Sequence, residues 1–221
     1  MEINFSTEEI RVLGVLMEKQ MTVPEYYPMT PNAIKTACNQ KSNRNPIVNY
    51  DEDVVFDTLQ SLRKKEMLIL VSTSGSRVRK YKHRMKEIFF LSRKETAALC
   101  VQMLRGPQTV GEIRTRTGRM VEFENLDEVT EVLTDLSSEN RKPQPLDIKL
   151  PVWPGQKEHR YMHLFAGKPD IEKLAAEAKA FPVSQTGGTS RYTELSEKIE
   201  ALSAEIKELR DQFNEFKRQF E

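Results

Sequence analysis

Lys80-Tyr81-Lys82-His83 and Arg160-Tyr161-Met162-His163 are two versions of one phrase, and each closes a stretch built on the same plan. Just upstream of the first lie Leu68-Ile69-Leu70-Val71 and then Thr73-Ser74-Gly75-Ser76. With Arg77 to His83 as the return strand, this reads as a hairpin turned on a glycine. Upstream of the second, Ile148-Lys149-Leu150 is followed by Pro151 to Gln156, with Pro154-Gly155 inside it, and then by His159 to Phe165. That is a second hairpin. Before the first hairpin, Asp51-Glu52-Asp53 leads into Val54, Val55, Leu59 and Leu62; before the second, Asn125-Leu126-Asp127-Glu128 leads into Val129, Val132, Leu133 and Leu136. Both patterns predict a helix, with acids at its start where the helix dipole favours them.

The correspondence extends further back. Ser6-Thr7-Glu8-Glu9 and Ser92-Arg93-Lys94-Glu95 are both capping boxes. Ile10, Leu13, Leu16 and Met17 follow the first at helical spacing and imply one apolar face, while Ala98, Leu99, Val101, Met103 and Leu104 follow the second. Between box and third helix, Thr30-Pro31-Asn32-Ala33-Ile34 sets a cap before a proline, predicting a helix to about Asn39. Thr109 to Thr117, ended by Gly118, is its counterpart. Three helices and a hairpin, twice over, is the order of a tandem winged-helix protein.

The C-terminal stretch differs in kind. Val183-Ser184-Gln185-Thr186-Gly187-Gly188-Thr189 has linker composition. After it, Tyr192, Leu195, Ile199, Leu202, Ile206, Leu209, Phe213, Phe216 and Phe220 alternate spacings of three and four. This is a heptad seam, with Ile at a and Leu at d in its middle, which favours a parallel two-stranded coiled coil and hence a homodimer; the alternative is an amphipathic helix folded back on its own domain. The fold class expected is mainly α with small β-hairpins (α+β): winged helices at 1–90 and 91–168, a short helix and linker at 169–190, and a coiled-coil helix at 191–221.

Composition removes several classes. The chain has 221 residues, 34 Lys+Arg against 33 Asp+Glu, and two cysteines. Its apolar runs, such as Met67 to Val71 and Ile88 to Leu91, fall far short of the roughly 20 residues that span a bilayer. The N-terminus has no basic head followed by an apolar run and cleavage site, which points to a cytoplasmic protein. Cys38 and Cys100 have no CxxC or paired His and read as buried thiols.

The signature stretches Arg11-Val12-Leu13-Gly14-Val15-Leu16-Met17-Glu18-Lys19, Tyr27-Pro28-Met29-Thr30-Pro31-Asn32-Ala33, Ala37-Cys38-Asn39-Gln40-Lys41-Ser42-Asn43-Arg44, Leu104-Arg105-Gly106-Pro107-Gln108-Thr109 and Arg160-Tyr161-Met162-His163-Leu164 resemble the YceH family of bacterial proteins. The similarity spans residues 6 to 167. Val23 and Val110 depart from the family tendency toward Thr and Pro. The resemblance implies a tandem winged-helix core and supplies no catalytic or ligand residues, since that family has no assigned activity.

Neutrality overall conceals a gradient. Residues 1 to 87 carry a net +3, 88 to 168 a net +1, and 169 to 221 a net -3. Arg77, Arg79, Lys80, Lys82, Arg84 and Lys86 form a basic strip on the first hairpin, while Arg63, Lys64 and Lys65 end the third helix. Arg114, Arg116 and Arg119 lie on the counterpart of the second helix and the turn after it. These residues suit contacts to DNA phosphates. The third helices, however, carry Asp51, Glu52, Asp53 and Asp57, and Asp127, Glu128, Glu131 and Asp135, which phosphates would repel. Double-stranded DNA is therefore the expected partner, with a protein-interaction scaffold as the alternative. On that alternative the basic strip is a sheet edge guarded by charge.

Other features point to chemistry less strongly. Ala37 to Arg44 is dense in donors and acceptors and suits either a phosphate or base-edge site, or a helix end in which Asn39 or Asn43 turns left-handed. Arg105 is expected to bond neighbouring loop carbonyls. His159 and His163 on one strand face would stand about 13 Å apart, too far for one metal ion. The repeated Tyr-x-His is expected to pack or hydrogen-bond its hairpin to the helices. No phosphate loop, GxGxxG, GxSxG or HExxH occurs. No enzyme, cofactor or metal is expected.

Overall fold

The computed structural model describes residues 4–71, 79–152, 156–171 and 174. The chain divides into two units, Met1–Ile171 and Glu172–Glu221. Among the described residues are seven α-helices and two small antiparallel hairpins, a mixed α/β chain. The heptad residues Leu195, Ile199, Leu202, Ile206, Leu209, Phe213, Phe216 and Phe220 lie outside the described residues, as do the linker and Arg77.

The first half runs α1 (Thr7–Thr22), a 3-10 turn (Pro24–Tyr26), α2 (Pro31–Cys38), α3 (Glu52–Lys64), β1 (Leu68–Val71) and β2 (Lys80–His83). A short α4 (Met85–Phe89) leads to α5 (Arg93–Arg105), α6 (Val110–Thr117), α7 (Leu126–Ser137), β3 (Asp147–Lys149) and β4 (Tyr161–His163). Every α-helix start except that of α4 is capped by the side chain its sequence offers. Ser6 and Ser92 accept from the backbone N–H groups of Glu9 and Glu95, and both boxes close reciprocally. Thr30, Asp51, Thr109 and Asn125 cap α2, α3, α6 and α7. Each such cap contributes about 1 kcal/mol.

The hairpins are in matching register. Leu68 faces His83 in one, and Asp147 faces His163 in the other. A third short stretch joins each: Met29 bridges Tyr81, and Gln108 bridges Tyr161. Two differences from the sequence reading stand out in the second hairpin. Asp147, not Ile148, opens β3, and His159 precedes β4, its Nδ1 donating to the Leu150 carbonyl at 2.9 Å at the loop end of the hairpin. Helix α4, which the sequence reading lacks, takes in part of the apolar run at 88–91 and buries Phe89 edge-on against Phe165, 5.2 Å between ring centres.

The largest departure concerns α1 and α5. Periodicity implies one apolar face for α1, yet Glu9 through Met17 are all buried, as are Glu95 through Leu104 in α5. The two helices lie against each other at the centre, so each is enclosed by its own half and by its counterpart. Gly14 permits the approach. A Cβ there would lie 2.9 Å from Leu104 Cδ2 and 3.2 Å from Met103 Cβ. The Cys100 thiol reaches the Gly14 carbonyl at 3.3 Å. The core is therefore continuous through both halves, from Phe5 to Phe165.

Candidate functional site

The basic residues singled out from sequence fall into three situations. Lys64, Arg79, Lys86 and Arg119 are exposed, Lys80 is half-buried, and none forms an ion pair within the described residues. Others have weak or local partners. Lys82 lies 3.6 Å from Glu87, Arg84 lies 4.0 Å from Glu66 and donates to its carbonyl, and Arg63 donates to Gln60. These exposed pairs are worth little and dissociate readily. A third group is built into the fold. Lys65 bonds Glu9 at 2.6 Å and the Asn4 carbonyl, and sits 5.3 Å over the Phe5 ring. Arg114 ties down the carbonyls of Phe123 and Glu124, and Arg116 engages Gln108 and Glu112.

The acids of the third helices remain on the surface. Asp51, Glu52, Asp53 and Asp57 are exposed, as are Asp127, Glu131 and Asp135. Between α2 and the start of α3 runs a groove of about 420 Å³, lined by Pro31, Lys35, Glu52, Asp53, Val55 and Phe56 among others. Phe56 is 53% exposed at its edge.

The dense segment 37–44 proves to be mainly internal scaffolding. Arg44 is buried and clasps Glu18 with both terminal nitrogens, at 3.0 and 2.6 Å. It also donates to the Ala37 and Asn43 carbonyls and to Gln40. Burial raises the Glu18 pKa, but the Arg44 bonds and charge outweigh it and hold the carboxylate ionised. Asn39 is matched in both directions with the Tyr50 backbone at 2.8 Å. Asn43, not Asn39, takes the left-handed conformation, φ 60°. Arg105 does not bond loop carbonyls as expected. It donates instead to the Asn43 side-chain oxygen, joining the two halves.

That contact forms part of a larger feature that sequence reading missed. Between the end of α1, the 40–43 turn, α5 and the end of α6 lies a cleft of about 700 Å³. Lys19, Lys41, Arg105, Arg116 and Arg119 line it, against a single carboxylate, Glu18, which Arg44 already holds. Burial lowers the Arg105 pKa, and the nearby Arg116 and Arg44 charges lower it further. Lys19 pairs with Glu18 and Arg116 with Glu112, while Lys41, Arg105 and Arg119 have no carboxylate partner among the described residues. The signal was present in sequence only as scattered residues, because the cleft forms where the halves meet.

Cys38 and Cys100 are buried free thiols whose pKa values burial pushes up, Cys38 to about 12. Both repeated histidines are buried, and burial lowers each to about 4. His83 Nδ1 accepts from the Met85 N–H at 3.2 Å and His163 Nδ1 from the Phe165 N–H at 3.3 Å, so each ring turns the chain leaving its hairpin. Among the described residues no cluster of three or more His, Cys, Asp or Glu is arranged to hold a metal ion, and no helix is long and apolar enough to cross a membrane.

In class, then, this is a duplicated three-helix-and-hairpin protein with a basic cleft between its halves. The model of the family described as "Protein of unknown function, DUF480" matches residues 5–156, and the chain belongs to that family. It is 45% identical over 217 residues to a UPF0502 protein of Photobacterium profundum, covering 96% of this chain and 97% of the relative. A UPF0502 protein of Citrifermentans bemidjiense is 52% identical over 180 residues, 81% of this chain and 82% of its own. One from Pelobacter propionicus is 44% identical over 223 residues and the full length of both. The resemblance to an uncharacterised bacterial family is therefore shown.

Proposed function

We propose that this is a DNA-binding protein made of two winged helices, a non-enzymatic cytoplasmic regulator that dimerises through the heptad seam. The bridges of Met29 to Tyr81 and Gln108 to Tyr161 support the winged-helix reading, since they give each hairpin the third short strand of such a sheet. The observation that carries DNA binding is the row of cations without an ion pair among the described residues, Lys64, Arg79, Lys80 and Lys86, about the first hairpin and the end of α3. Lys82 and Arg84 add to it by exchanging weak ion pairs for phosphate. The exposed acids of α3 and α7 keep those helices out of the groove, so the wing and helix ends make the contact.

Fluorescence polarisation with mixed-sequence duplex DNA, at low and near-physiological salt, tests this. Micromolar or tighter binding with a steep salt slope is expected. The triple substitution R79E/K80E/K82E should abolish it with thermal stability almost unchanged; survival of affinity would refute the wing as contact surface. A second reading, a protein-interaction module, is favoured by exposed Phe56 in the groove between α2 and α3, which Glu52 and Asp53 also line. Absence of DNA binding at low salt would make that reading primary, with F56A as the first variant in a pull-down.

A further inference from the structure

The cleft between the halves has a chemistry of its own. A duplex is too broad to enter a concave site of about 700 Å³, whereas a volume of that order suits a small molecule. Its walls bring cations from both halves, Lys41 from the first and Arg105 and Arg119 from the second. None of these three is paired with a carboxylate within the described residues. Arg105 is oriented by its bond to Asn43, which leaves the rest of its guanidinium fork for a ligand. Ser42 and Thr115 add hydroxyl groups at the rim, and Val101, Leu104 and Met120 supply apolar wall.

The geometry points to a binding site for a phosphorylated small molecule of nucleotide size, its phosphates on Lys41, Arg105 and Arg119 and its organic part against the apolar wall. Oxyanions match these groups because guanidinium forks bind phosphate bidentately. An unbound cleft keeps its cations hydrated and mutually repelling, so an anion gains by neutralising both halves at once. This site stands whether or not the protein binds DNA. If it does bind DNA, a ligand bridging the halves becomes a natural effector.

Calorimetric titration of the full chain at low salt with ATP, tripolyphosphate and adenosine tests the assignment. ATP should bind with a Kd below roughly 100 µM, tripolyphosphate more weakly, and adenosine not measurably. K41E/R119E reverses two exposed side chains without touching the core, so it should weaken ATP at least tenfold while the unliganded Tm stays within about 2 °C. R105Q should weaken it comparably. The wing variant R79E/K80E/K82E should bind ATP as the wild type does, which separates this site from the DNA surface. No ATP binding at millimolar concentration, or ATP binding indifferent to K41E/R119E, overturns the proposal. Loss of duplex binding in K41E/R119E without any ATP binding would also overturn it, assigning the cleft to the DNA path. Equal affinity for tripolyphosphate and ATP would remove the role given to the apolar wall.

Discussion

The two halves solve one packing problem with opposite chemistry. Aligning the capping boxes places Leu16 of α1 and Gln102 of α5 at equivalent positions; aligning the hairpins places Leu68 opposite His83 and Asp147 opposite His163. In the first half both positions are buried leucines. In the second they are a buried amide and a buried carboxyl, with Gln102 donating to Asp147 Oδ2 at 2.5 Å. The other oxygens, Gln102 Oε1 and Asp147 Oδ1, lack partners within the described residues. Burial dominates and pushes the Asp147 pKa up to about 8, with hydrogen bonds from Gln102 and the backbone only partly opposing it. The comparison teaches that the second half accommodates a polar pair at core positions where burial favours the protonated carboxyl.

The sharpest test transplants the first half's solution into the second. Asp147 keeps in the folded state a proton that the unfolded chain gives up above 3.8, so its contribution is full below that value and is lost as pH rises through about 8. Q102L/D147L should raise stability at pH 8 by about 3 kcal/mol and by much less at pH 4. Urea denaturation at the two pH values reads the difference. An unchanged or lowered stability at pH 8 would mean that the polar pair is satisfied in a way the buried oxygens do not show.

Next in size is the contact that makes the halves one body. Gly14 faces Leu104 and Met103 with no room for a Cβ, so Gly14→Val should cost about 2 kcal/mol through overpacking. Because the core is continuous, both halves should lose stability together, in one thermal transition. Two separate transitions in the variant would show that each half can stand alone.

Some of this was legible in sequence and some was not, for physical reasons. Caps and hairpin turns are local chemistry, so Ser6, Thr30, Ser92 and Thr109 announced their helices. The burial of α1 on all sides was not legible as such, because it depends on α5, which lies far along the chain. The same holds for the site. The strip at Arg79 to Lys86 is contiguous and was read directly, whereas Lys41, Arg105 and Arg119 come from separate segments and meet only when the halves pack. Lys65 resembled its exposed neighbour Lys64, yet its partner Glu9 lies in another helix, a pairing that no spacing rule reveals.

A third experiment asks whether the repeated histidines behave alike. Each is held neutral, its pKa lowered from 6.5 to about 4, so the stability linked to it is present above 6.5 and lost as pH falls through about 4. H83N and H163N retain an acceptor near Nδ1, and each should flatten the acid limb by about 1 kcal/mol at pH 5. His83 also feels the opposed charges of Glu87, Lys82 and Lys86, whereas burial alone accounts for His163. The acid limb of H163N, which keeps His83, should therefore depend more on salt than that of H83N, which keeps only His163. Equal salt dependence would show that the charges about the first hairpin do not reach its core.

The smallest effect separates the two capping boxes. Glu9 and Glu95 each bond the backbone N–H of the serine that caps their helix, and each takes a cation from beyond the third helix: Lys65 for Glu9, Arg141 for Glu95. Burial raises both carboxyl pKa values, but the hydrogen bonds outweigh it and the net direction is down. Glu9 has one further donor, the Ser61 hydroxyl at 2.7 Å. Substitution by Gln keeps the reach back to the serine and removes the charge. E9Q should therefore cost somewhat more than E95Q, about 1 kcal/mol against slightly less, a difference confined to pH above the usual carboxylate range. Thermal melts at pH 7 and at pH 3 decide it. If E95Q cost more than E9Q at pH 7, the Arg141 pair would outweigh the Lys65 and Ser61 contacts combined, and the second half would hold the stronger clamp.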